Sequence, residues 1–119
     1  FVDRLATMIQ YLNPEKLVLS HMGGWGQWNE VSSILEEDYM KNVYLDTSSC
    51  IKKLNHNTSL PIEKFKKMVN IHGADHILFG SDSPRDDQKA AEDLIKECGF
   101  SAKDTQAILG KNAVTLLNL

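Results

Sequence analysis

Three short apolar runs constrain the fold of this chain more than any other feature. Lys16 to His21 (KLVLSH), Asn42 to Thr47 (NVYLDT) and His76 to Ser81 (HILFGS) lack the apolar–polar alternation of a half-exposed strand. Each is too short for a helix of its own, so all three read as strands buried on both faces, as in a parallel sheet. Helical patterns fill the intervals. Val2, Leu5, Ile9 and Leu12 recur at helical spacing until Asn13-Pro14, and Val31, Ile34, Leu35 and Tyr39 mark a helix over 27–40. Pro61 opens a helix to Ile71 that Gly73 stops, and residues 86–98 form another that Gly99 stops. Ser101 suits the N-cap of a helix over 102–109, which Gly110 separates from a last helix over 111–118. Strands alternating with helices, 26–34 residues from one strand to the next, spell consecutive βα units.

Parallel strands need cover on both faces and neighbours on both edges, and three strands are few for that. The chain is therefore either a small doubly wound domain or a segment of a barrel whose other strands lie elsewhere. Its 119 residues make a single segment, 1–119, and it opens on Phe1 directly into a helical pattern, which predicts a start inside a larger protein. The net charge of −3, with signs well mixed, offers no basic footprint for nucleic acid. No apolar run approaches the roughly 20 residues that cross a bilayer, and Asp3 and Arg4 interrupt any signal-peptide layout. Cys50 and Cys98 are too few for a disulfide framework, which predicts reduced thiols and a cytoplasmic setting. The sequon Asn57-Thr58-Ser59 is a pattern that chance supplies often.

In parallel α/β folds, functional groups gather where strands end, because the loops there are free to vary. The strand ends here carry His21, the group Asp46-Thr47-Ser48, and Asp82. Alone, His21 reads as a hydrogen-bonded core histidine or as a metal ligand and proton carrier. Asp82, in Phe79-Gly80-Ser81-Asp82-Ser83-Pro84, reads as a helix cap, a loop brace, or a ligand and general base. Together at neighbouring strand ends they point to a hydrolytic metal centre, which takes nitrogen and carboxylate ligands and leaves one position for water.

The ordered set Leu17-Val18-Leu19-Ser20-His21-Met22-Gly23-Gly24, Asn42 to Ser48, and Ile77 to Pro84 resembles strands six to eight of the amidohydrolase-related (amidohydrolase 2) family. Ile108 to Leu117 is similar to that family's C-terminal helix. The resemblance implies the C-terminal βα units of a (β/α)8 TIM barrel with one divalent metal, commonly zinc. That metal would activate water against a small, acidic organic substrate. It implies His21 and Asp82 as catalytic and metal-binding residues. The alternatives are a metal-dependent decarboxylase on the same fold and a non-catalytic, truncated α/β module. The family's first-strand His-x-His pair and fifth-strand histidine have no counterpart here, and a whole barrel needs about 250 residues. The fragment alone is therefore expected to be inactive.

Other residues complete the reading. Trp25, His56 and Arg85 are candidates for substrate contact: Trp25 as a pocket wall, His56 from the catalytic-side loop, and Arg85 through its planar fork on a carboxylate. The rival readings are packing or subunit contact for Trp25 and Trp28, and surface pairing with Asp86 or Asp87 for Arg85. Gly23-Gly24-Trp25-Gly26 lacks the rest of a phosphate-binding motif. His76 opens a strand and so belongs to the opposite, stabilising face, while His72 ends a helix and is expected to be solvated. Ser20, Ser48 and Cys50 show no paired base, which argues against a covalent nucleophile. Open sheet edges predict self-association of the chain, and a homo-oligomer is the expected assembly.

Overall fold

The computed structural model describes residues 1–51 and 59–119. Its elements alternate as the apolar runs require: α1 (Val2–Leu12), β1 (Leu17–Leu19), α2 (Trp28–Ser32), β2 (Val43–Asp46), α3 (Ile62–His72), β3 (Ile77–Leu78), α4 (Gln88–Glu97), α5 (Ala102–Gln106) and α6 (Asn112–Leu117). The strands form one parallel sheet in the order β1-β2-β3, with Leu17 opposite Val43 and Leu45 opposite Ile77. Because each connection returns through a helix, every strand presents its C-terminal end on the same side.

The core gathers between the sheet and its helices. Val43, Leu45 and Ile77 from the strands are wholly buried, packed with Phe65, Met68 and Val69 of α3 and Ile95 of α4. Burying one such side chain stabilises the fold by about 1.5–3 kcal/mol, so this cluster is what holds the βα units together. The strand β1 departs from the expected burial on both faces. Val18 is 43% exposed, because no described element covers that face or the outer edge of β1.

Two helices also differ from expectation. The helix expected over 27–40 ends at Ser32 and is followed by turns and a 3₁₀ segment at Asp38–Met40. Ser32 Oγ donates to the Trp28 carbonyl (2.6 Å) and Ser33 Oγ to the Glu30 carbonyl (2.6 Å). Such side-chain bonds compete with the helical ladder and favour tighter turns. Val31, Ile34, Leu35 and Met40 are buried all the same. Conversely, Gly110 does not separate two helices. The segment from Ala102 to Leu117 continues through a π-helical stretch at Ala107–Lys111. Its wider turn frees the Ile108 carbonyl, which accepts the Phe79 N–H at 3.0 Å and so continues β3 where the ladder has stopped.

His72, expected to be solvated, is half-buried, with Nε2 donating to the Val43 carbonyl at 2.7 Å. Burial holds its imidazole below the usual histidine range, and neighbouring His76 adds to that effect. His76 sits in the 3₁₀ turn ahead of β3, its ring 4.9 Å from that of Tyr44, at the end of the sheet opposite His21. Cys50 and Cys98 are free and buried. Burial, reinforced by the Asp46 carboxylate, pushes the Cys50 thiol far up, so it acts as a small apolar core residue. No helix among the described residues is long and apolar enough to cross a membrane.

Candidate active site at the strand ends

The carboxylate of Asp46, the last residue of β2, organises this end of the sheet. Its Oδ1 accepts the backbone N–H of His21 at 3.0 Å and the N–H of Ser48 at 3.0 Å, and it also accepts the Ser48 hydroxyl. One carboxylate thus fixes where the chain leaves β1 and how it turns after β2. Beyond β1 the backbone bends sharply, with His21 and Met22 in the left-handed region at φ 57° and 52°. Gly23 follows at φ 92°, where an added Cβ would meet Val31 Cγ1 at 2.7 Å. Only glycine allows the loop to lie this close to the buried Val31.

That bend aims the His21 ring at the end of β2. His21 Nδ1 lies 2.7 Å from the Ser48 carbonyl and 3.2 Å from its hydroxyl. A carbonyl only accepts, so Nδ1 carries the hydrogen, and in the neutral ring the lone pair is on Nε2. A backbone carbonyl holding Nδ1–H is how proteins orient an imidazole that works through its other nitrogen.

Asp82 follows β3 by four residues, is exposed, and adopts φ 61°, a conformation that aspartate tolerates better than most residues. The hydroxyl of Ser49, the residue after His21's partner Ser48, lies 2.8 Å from Asp82 Oδ2. Imidazole and carboxylate therefore lean on two consecutive residues of one bend. Thr47 ties β2 to the chain beyond β3. Its hydroxyl donates to the Gly80 carbonyl (2.9 Å) and accepts the Gly80 N–H (3.0 Å).

Trp25 and Arg85 complete this rim. The Trp25 ring stands edge-on to His21 at 5.7 Å, and the Arg85 guanidinium lies 5.8 Å from the Trp25 ring centre, within cation–π range. The rival reading, surface pairing of Arg85 with Asp86 or Asp87, has no counterpart among the described residues, where those carboxylates make other bonds. Asp87 caps α4 by accepting the Ala90 N–H at 2.9 Å, and Asp86 meets the Ser49 hydroxyl. Trp28 is a core residue whose Nε1–H donates to the His21 carbonyl at 2.9 Å. His56 lies outside the described residues.

The structure thus draws His21, Asp82, Trp25 and Arg85 to one rim. Sequence reasoning assigned no role to Ser49, offered Asp86 only as a surface partner for Arg85, and gave Asp46 none beyond its strand-end position. A carboxylate closing a strand and a Ser-Ser pair after it were the available signals. As a test for a metal, the imidazole Nε2 and the Asp82 carboxylate are donor types that a divalent cation takes. They fit in kind and supply two of the roughly four ligands such an ion needs. Among the described residues, no group of three or more His, Cys, Asp or Glu is placed to hold one.

The model of the amidohydrolase family matches residues 12–119. The chain belongs to the amidohydrolase family. Its structure is similar to an amidohydrolase from Burkholderia multivorans with bound zinc (TM-score 0.78, 16% identity, 99% of this chain and 49% of that one). It is similar to 2,6-dihydroxybenzoate decarboxylase from Rhizobium (TM-score 0.65, 21% identity, covering 87% and 34%). It is also similar to a dihydroxybenzoic acid decarboxylase from Polaromonas sp. JS666 with bound manganese and 2-nitroresorcinol (TM-score 0.63, 24% identity, covering 87% and 34%). This amidohydrolase chain spans half or less of each, and its three parallel strands with their helices form part of a TIM barrel. The sequence has no significant match among curated proteins.

Proposed function

We propose that this chain forms the C-terminal part of a metal-dependent amidohydrolase barrel that hydrolyses a small, acidic organic molecule. The observation that carries this reading is the shared bend. His21 rests on Ser48 and Asp82 on Ser49, so an imidazole lone pair and a carboxylate, arising beyond β1 and β3, both lean on the bend that follows the strand between them. In this reading His21 Nε2 and Asp82 hold a divalent metal, with the remaining ligands coming from elsewhere in the barrel. When bound, such an ion supplies Lewis acidity and lowers the pKa of a water molecule.

The residues of this chain then divide the work. Asp82 accepts a proton as general base, and His21 orients the reacting group through Nε2. Trp25, 36% exposed, offers a flat face to the substrate, and Arg85 beside it receives a carboxylate. A metal-dependent decarboxylase is the second reading. It is favoured by the decarboxylases among the similar structures, whose named substrates are aromatic carboxylates that suit a Trp–Arg rim.

The test uses the full-length protein, loaded in turn with zinc and manganese. It is offered hydroxybenzoates, with release of carbon dioxide followed, and carboxylated esters and lactones, with hydrolysis followed. His21→Ala and Asp82→Asn are expected to lower turnover by at least about 100-fold, the scale of lost general acid–base catalysis, and Arg85→Ala to raise KM. A full-length protein without stoichiometric metal, or with undiminished activity in both variants, overturns the proposal.

A further inference from the structure

We propose that Ser49 is a positioning residue that sets the orientation of the Asp82 carboxylate and is itself held by Asp86; this rests on the reading of Asp82 as the working carboxylate. Ser49 lies at φ 52° in the bend after β2 and is 4% exposed. A left-handed, buried serine in a polar bend calls for an explanation, since most residues avoid this backbone region. Its hydroxyl has Asp82 Oδ2 at 2.8 Å on one side and Asp86 Oδ2 on the other. The backbone conformation puts Oγ between two carboxylates that arise four residues apart in one turn, where the N–H groups of Arg85 and Asp86 both point at the Asp82 carbonyl (2.9 and 3.4 Å).

A hydroxyl has one hydrogen to donate and two acceptors within reach, so it can brace only one carboxylate at a time. Directed to Asp82, it holds that side chain in a single orientation at the rim. Directed to Asp86, it leaves Asp82 Oδ2 free to take a working contact. Asp86 therefore competes with Asp82 for that one hydrogen. Ser49 is buried and Asp86 half-buried beneath the exposed Asp82 carboxylate. Ser49 and Asp86 also line a cavity of about 160 Å³, together with Ile51, Leu94 and Ile95.

Zinc titration of the full-length apoprotein tests this without any substrate, with Asp82→Asn as the reference. Ser49→Ala is expected to weaken zinc affinity by about tenfold, the usual cost of losing a group that orients a ligand, with little change in Tm. Asp86→Ala should leave it unchanged or strengthen it, because the hydroxyl then turns to Asp82, and the double variant should match Ser49→Ala, because Asp86 acts on this site through that hydroxyl. A crystal structure of the Ser49→Ala protein should show the Asp82 carboxylate rotated. If alanine is not tolerated, Ser49→Gly removes the same hydroxyl and suits φ 52°. Unchanged affinity in Asp82→Asn would overturn the reading of Asp82 itself. A weakened Asp82→Asn beside a Ser49→Ala within twofold of wild type, or additive losses in the double variant, would overturn this inference alone.

Discussion

Asp46 shows how much one side chain decides at this site. It is half-buried and accepts two backbone N–H groups and a hydroxyl. Asp46→Ala should cost roughly 2–3 kcal/mol in urea denaturation, the expected price of stranding donors at a partly buried bend. Asp46→Asn should cost less, because its amide oxygen still accepts. Equal losses in the two variants would mean that the negative charge matters more than the acceptor position. At this scale the sequence was half legible. His21 and Asp82 stood out because each closes an apolar run. The bend that gives them meaning did not, because the left-handed backbone at Ser49 and Met22 is set by tertiary contacts rather than by residue type.

Elements were easier to read than their ends. Each expected strand exists, but β1 keeps Leu17–Leu19 and β3 only Ile77–Leu78, since side-chain bonds replace the ladder at the rim. Apolar periodicity found the helical face over Val31 to Met40, and the Ser32-Ser33 pair then broke the helix itself. Gly110 misled for a different reason. A glycine inside a helix costs only about 1 kcal/mol, and the π-helical turn around it allows a bond to Phe79 that a regular helix would forgo. Asn112 follows that turn, and its Nδ2 donates to the carbonyls of Ala74 and Ile77, both at 2.7 Å. Asn112→Ala should therefore lower stability by roughly 2–3 kcal/mol. Asn112→Asp, which brings oxygens up to two carbonyls, should do worse. Thermal unfolding of both variants checks the order.

Across the whole molecule, the two ends of the sheet carry opposite tasks. The rim beyond the strands gathers His21 and Asp82, while the far end holds His72 against the Val43 carbonyl. Since burial depresses the His72 pKa, the unfolded chain binds a proton there more readily than the folded one. The resulting stability is present above the unfolded value of about 6.5 and is lost as pH falls below it toward the folded pKa. Denaturation midpoints should accordingly drop between about pH 7 and pH 5, and His72→Gln should flatten that slope. A slope unchanged in the variant would assign the acid sensitivity to other groups.

The support of His21 by Ser48 carries a consequence for variation at this site. The acceptor that selects the imidazole tautomer is a peptide oxygen, and every amino acid that could occupy position 48 brings one. Drift in the side chain at 48 therefore leaves the histidine's proton where it is, so long as the chain still follows the same path. What drift cannot alter freely is whatever bends that path, so selection should act on residue 46 rather than on the one the ring touches.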